Sequence, residues 1–179
     1  MSRIVSIIGH KNAGKTTLVS AVSREFKRQR RTVGVIKHAS HPADVDRQGT
    51  DSWRHFHEGL ADGVVVASPD LRVTFERKKD ETGPEELANR YFAGMDVVLV
   101  EGFKAAPLPK IEVWRREVSR TPLFTPDAPN ADDWICMLCD DPRYTAPFRV
   151  LHFTDTMWLT VLTALVLDRG KTLTAQPAP

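Results

Sequence analysis

Gly9-His10-Lys11-Asn12-Ala13-Gly14-Lys15-Thr16 stands directly behind the apolar run Ile4-Val5-Ser6-Ile7-Ile8 and has the spacing G-x-x-x-x-G-K-[ST]. A polyphosphate needs many hydrogen-bond donors at close range. A glycine-bearing turn lets successive backbone N–H groups converge on it with no Cβ in the way. In this spacing Lys15 reaches the β- and γ-phosphates, and Thr16 offers its hydroxyl to Mg²⁺ at the start of a helix whose positive end faces the anion. The flanks agree, since Thr17-Leu18-Val19-Ser20-Ala21-Val22 opens a helical pattern that runs to about Arg30. The expected ligand is a nucleoside triphosphate.

Working outward, Thr32 to Lys37 is a second β-branched run, so strand, helix and strand follow one another as a parallel crossover unit. Asp51 to Gly59 suits a short helix. Asp62 to Ala67 and Leu71 to Glu76, turned by Ser68-Pro69-Asp70, predict a hairpin whose edges need a cover that a homodimer can supply. Pro84 opens a helix to about Phe92, and Asp96 to Val100 is apolar, as a central parallel strand should be. Further strands are expected at Lys110 to Trp114, Asp132 to Cys139 and Arg149 to Phe153, with an irregular loop over 116–133. The last helix starts near Thr154 or Asp155 as its cap and carries Leu159, Leu162, Leu165 and Val166 on one stripe before Gly170. The fold class is α/β: a phosphate-loop domain over residues 1–170, its mostly parallel sheet flanked by helices, with an inserted hairpin. A disordered tail is expected from Lys171 to Pro179.

The 179 residues suit one core, and 25 Lys+Arg against 23 Asp+Glu give a net charge of only +2. Neither a nucleic acid nor a membrane is called for. The basic cluster Lys27, Arg28, Arg30 and Arg31 falls where a helix C-terminus favours cations. The first apolar run is needed as a strand, not a signal peptide, and the run around Leu159 to Leu167 is too short to span a bilayer, which predicts a cytoplasmic protein. Cys136 and Cys139 lie three apart on a strand and therefore face opposite ways, as core thiols rather than a chelating pair.

Val97-Val98-Leu99-Val100-Glu101-Gly102 fits the second acidic element of phosphate-loop proteins, with Glu101 near the γ-phosphate and its Mg²⁺. Between Lys37 and Glu58 lie His38, His41, Asp44, Asp46, Asp51, His55 and His57. They suit a transition metal, an anionic partner molecule or the ordering of magnesium, or an ordinary solvated loop, and their spacing does not choose. The guanine-reading Asn-Lys-x-Asp is absent. Asp140 either accepts the N1 and N2 protons of guanine or starts the turn Asp140-Asp141-Pro142.

Taken together, Gly9 to Leu18, Val35-Ile36-Lys37-His38 with His41 and Asp46, Gly49 to His55, Val98 to Lys104 and Pro109 to Val113 resemble the molybdopterin-guanine dinucleotide biosynthesis adapter family (MobB) over residues 3–114. The resemblance implies a GTP-binding homodimer with Mg²⁺ and at most slow hydrolysis. It would work beside the guanylyltransferase that joins GMP to molybdopterin, and molybdopterin itself is a candidate ligand. It assigns the nucleotide site to Gly9, Asn12, Gly14, Lys15, Thr16 and Thr17, with Ala13 inside the same loop. His38, Asp46, Asp51, Arg54 and Glu101-Gly102-Phe103-Lys104 would line the same cleft, with Asp46 or Glu101 arranging the metal with Thr16 and serving the chemistry. His10 stands where related dimeric phosphate-loop proteins have a signature Lys, and Thr50 where the family often has Lys. Two rivals are a small-molecule kinase, with Asp46 as base and Arg54 clamping an anionic acceptor, and a GTPase metallochaperone binding metal through His38 and His41.

Overall fold

The computed structural model describes residues 2–39 and 45–174. They form two compact units, one of Met1–His38 with Gly83–Pro179 and one of Ala39–Thr82. Along the chain the elements are β1 (Arg3–Gly9), α1 (Lys15–Arg28), β2 (Val33–Lys37), α2 (Asp51–His57), β3 (Gly63–Ala67), β4 (Arg72–Glu76), α3 (Pro84–Phe92), β5 (Val97–Glu101), β6 (Lys110–Trp114), β7 (Trp134–Cys139), β8 (Arg149–His152), α4 (Trp158–Arg169) and β9 (Lys171–Thr172).

In the larger unit six strands run parallel in the order β2-β5-β1-β6-β7-β8. β1, β5, β6 and β7 are buried almost throughout, which is why their sequences read as continuous apolar runs. α1 and α4 pack on one face over Val5, Ile7, Leu99, Val113 and Leu138; α3 covers Ile4, Val98 and Val100 on the other. The centre of the sheet switches direction of winding at β1, so the loops after β1 and β5 share the crevice that open α/β sheets use for ligands.

β7 shows the alternation expected for its two thiols. Cys136 and Leu138 join the α1 side, while Met137 and Cys139 pack with Ile8, Trp114 and Phe124 on the other face. Both cysteines are free and buried, and burial pushes the Cys136 thiol up to about 12. α1 ends as expected with Lys27 and Arg28 in its last turn, and Arg28 also pairs with Glu25 at 2.8 Å.

Two expectations change. The last helix begins at Trp158 with no side-chain cap, because the Asp155 carboxylate accepts instead from His152 N at 3.0 Å. Lys171 and Thr172 are not tail: they pair antiparallel with Arg3 and Ile4, the stretch of β1 that precedes its pairing with β6. Residues 175–179 lie outside the described residues.

In the smaller unit β3 and β4 form the expected antiparallel hairpin, from Gly63 opposite Glu76 to Ala67 opposite Arg72. Thr50, flagged in the sequence only for the Lys it replaces, has a local duty: its hydroxyl accepts from Trp53 N and caps α2.

Candidate functional site

β1 ends at Gly9 with φ of +152°, and a Cβ there would collide with the Val113 carbonyl oxygen on β6. Asn12 and Gly14 then take left-handed backbone, at φ of 66° and 98°, on either side of the buried Ala13. This reverses the chain, and Ala13 N donates to His10 O at 3.2 Å. α1 starts at once from Gly14 as N-cap, with no side-chain cap and no acidic residue in its first turn. The opening N–H groups of a helix have no intrahelical acceptor. Left uncapped, they present a positive end suited to phosphate.

Lys15 arches back over the loop, and its Nζ donates to His10 O at 2.7 Å. Burial pushes its pKa below the usual lysine value; Glu101 opposes this, and Lys104 and Lys37 add to it. A cation partly removed from water beside two others gains most from an incoming polyanion.

Glu101 closes β5, where the sheet register sets it beside Ile7 on one side and Lys37 on the other. Its buried carboxylate accepts from Thr16 Oγ1 at 2.9 and 3.0 Å, and Lys37 Nζ lies 3.6 Å away. Together with the loop these side chains line a cleft of about 440 Å³ that includes Lys11, Asn12, Thr17 and Lys37. A hydroxyl and a carboxylate in contact are hard oxygen donors, so the set fits magnesium, which binds through one or two carboxylates plus substrate phosphates. Thr16 and Glu101 would hold it, and the ion would neutralise charge between the terminal phosphates.

The segment behind Glu101 is held by its backbone. Gly102 has φ of +102°, donates to Ile7 O at 3.0 Å and accepts from Ser6 Oγ at 2.6 Å; a Cβ on it would come within 2.9 Å of His38 Cβ. His38 N donates to Glu101 O at 2.9 Å, and its ring stacks on Phe103 at 4.4 Å. Lys104 is exposed just beyond. Gly9, Asn12, Ala13, Gly14, Lys15, Thr16, Thr17, Glu101, Gly102 and His38 thus lie in one unit around the two adjoining strand ends.

Asp140 follows β7, and its Oδ1 accepts from Arg116 N at 3.0 Å, tying two strand-end loops together. Asp46, Asp51 and Arg54 belong to the smaller unit. There Asp46 Oδ1 accepts from Thr50 Oγ1 at 3.1 Å, while its Oδ2 is buried with no hydrogen-bond partner among the described residues. Asp51 sits in the first turn of α2, and Arg54 pairs with Glu58 at 3.0 Å. His41 and Asp44 lie outside the described residues, among which no group of three or more His, Cys, Asp or Glu could hold a metal ion. Sequence reasoning missed Lys37 as a partner of Glu101, although the Val-Ile-Lys-His quartet contained it.

A parallel sheet with this winding, a glycine-shaped loop leading into an uncapped helix and a carboxylate touching the loop threonine define a P-loop nucleotide-binding fold. Residues 4–140 match the model of the family described as molybdopterin guanine dinucleotide synthesis protein B, and the chain belongs to that family.

A molybdopterin-guanine dinucleotide biosynthesis adapter protein from Haemophilus influenzae is 34% identical over 118 residues, which is 65% of this chain and 66% of the relative. A putative adapter from Methanocaldococcus jannaschii is 31% identical over 146 residues, 79% of this chain and 56% of its own. The chain thus spans somewhat under two thirds of the length of these relatives. The crystal structure of Bacillus subtilis MobB superposes with a TM-score of 0.68 over 94% of this chain and 98% of its own, at 23% identity. A MobB homologue from Bacillus stearothermophilus gives 0.66 over 93% and 99%, at 20% identity. At that identity the structures speak for the fold, which is the one the sequence predicts.

Proposed function

We propose that this protein binds GTP with Mg²⁺ at the loop of residues 9–17. In this reading it serves as an adapter in molybdenum cofactor biosynthesis, assisting the guanylyltransferase that attaches GMP to molybdopterin. The observation that supports this most is the contact of Thr16 with Glu101 beneath Lys15 and Lys37, placed at the open end of α1. Lys15 neutralises phosphate charge, and Thr16 and Glu101 hold the metal. Phosphoryl transfer depends on positioning and charge stabilisation. The Glu101 carboxylate is already engaged by Thr16 and Lys37, so it is no free base for water, and hydrolysis is slow at most.

The nucleotide-binding domain runs through β9 and acts in a homodimer. The hairpin supports a second copy: Val65 and Val66 on β3 are 60% and 42% exposed, and Leu71 is 62% exposed. Among the described residues no helix is long and apolar enough to cross a membrane, in keeping with work in the cytoplasm beside the guanylyltransferase.

The test is reconstituted guanylyl transfer from GTP to molybdopterin by that enzyme, with and without this protein. The expected result is a higher yield of dinucleotide when it is added, and none of that gain with Lys15→Ala. An equal yield in all three conditions would remove the adapter role while leaving nucleotide binding to be measured separately.

A further inference from the structure

If the metal end of the triphosphate lies against Glu101 on the β5 side of β1, the nucleoside must leave the loop on the opposite side, over the ends of β6, β7 and β8. At roughly 4.8 Å between neighbouring strands, β8 lies on the order of 14 Å from β1. One side chain crosses that gap. Arg115 directly follows β6, and its carbonyl accepts from Val118 N and Ser119 N at 3.0 and 3.1 Å, which fixes its backbone. Its Nε lies 3.8 Å from where a Cβ would stand on Gly14. The Cζ bonded to that nitrogen lies over the ring of Phe153, 4.1 Å from the centroid, just after β8, so the guanidinium sits between Gly14 and the Phe153 ring.

Phe153 is itself held. Its N donates to Cys139 O at 3.3 Å and its ring meets Trp158 edge-on at 6.4 Å. The acids nearby are engaged by the next residue instead: Arg116 N donates to Asp140, and its Nη1 lies 3.6 Å from Asp141. A planar cation backed by an aromatic ring, half-buried beside the loop, is a surface on which a purine stacks.

We propose that Arg115, held over Phe153, is the platform on which the purine base of the bound nucleotide stacks. This rests on the nucleotide reading above. It assigns the base subsite to a contact that accepts any purine, with Asp140 serving to tie the loops beside it.

The experiment is calorimetric titration of the full chain and of its Arg115→Ala, Arg115→Lys and Phe153→Leu variants with GTP, ATP and inorganic tripolyphosphate in the presence of Mg²⁺. Both Arg115 variants should lose about tenfold in affinity for the two nucleotides and stay within about twofold for tripolyphosphate. Phe153→Leu should lose in the same direction. Retained tripolyphosphate binding also certifies that each variant is folded. If tripolyphosphate affinity falls with GTP in Arg115→Ala and Arg115→Lys restores both, Arg115 is a phosphate contact and the platform is wrong. If the unaltered chain binds neither GTP nor tripolyphosphate, the nucleotide reading falls and takes this subsite with it.

Discussion

Lys15→Ala should weaken GTP binding by about 100-fold or more while leaving the thermal unfolding of the protein nearly unchanged. Truncating one partner of a close charge pair typically costs ~2–5 kcal/mol, and the loop's own His10 carbonyl holds Lys15 over the cradle. Burial already lowers its pKa, with Lys37 and Lys104 adding to the shift, so the phosphates are its natural counter-charge. The fold asks little of it: among the described residues its ammonium donates to the His10 carbonyl, and it belongs to none of their apolar clusters. Calorimetry and a melting curve on the same sample separate the two effects. Unchanged affinity would refute the site.

Glu112 carries the largest expected effect on stability. It is fully buried in β6, where Leu123 N and Phe124 N donate to it at 2.5 and 3.0 Å and Trp134 Nε1 donates at 2.9 Å. Burial pushes its pKa above the usual carboxylate range, and the three N–H donors and His10 hold it back. Glu112→Ala leaves all three donors buried without an acceptor, and each charge-assisted bond contributes about 1.5–3 kcal/mol. The loss should be about 3 kcal/mol or more in urea unfolding, with Trp134 emission moving to the red as the 116–133 loop comes away. Glu112→Gln keeps the volume but turns an amide N–H toward one donor, and should cost about 1–2 kcal/mol. An alanine variant as stable as the parent would show that the loop does not depend on this carboxylate.

The phosphate loop was legible because its geometry is written in backbone requirements: Gly9 and Gly14 mark where a Cβ cannot sit or where φ turns positive. Glu101 was legible because a fully buried strand ends in it, and the hairpin because Leu71 to Glu76 alternates around a Ser-Pro-Asp turn. What escaped depends on partners distant in sequence. Lys37 meets Glu101 only because β2 lies beside β5, an order set by the crossover and not by either strand.

β9 exists because β6 leaves the first residues of β1 uncovered. Asp155 has the composition of a helix cap, yet its carboxylate serves His152 N. Lys110-Ile111-Glu112-Val113-Trp114 forms the expected strand, and all five residues are buried, its two charges included. The structure answers each charge separately, Lys110 by Asp133 and two carbonyls and Glu112 by the loop.

The direct test of the central claim is titration of the unaltered protein with GTP and with ATP, each with Mg²⁺ and again with the metal chelated. The account predicts saturable binding of one GTP per chain, weakened by chelation because Thr16 and Glu101 share the ion with the phosphates. Absence of binding by either nucleotide at millimolar concentration would contradict it.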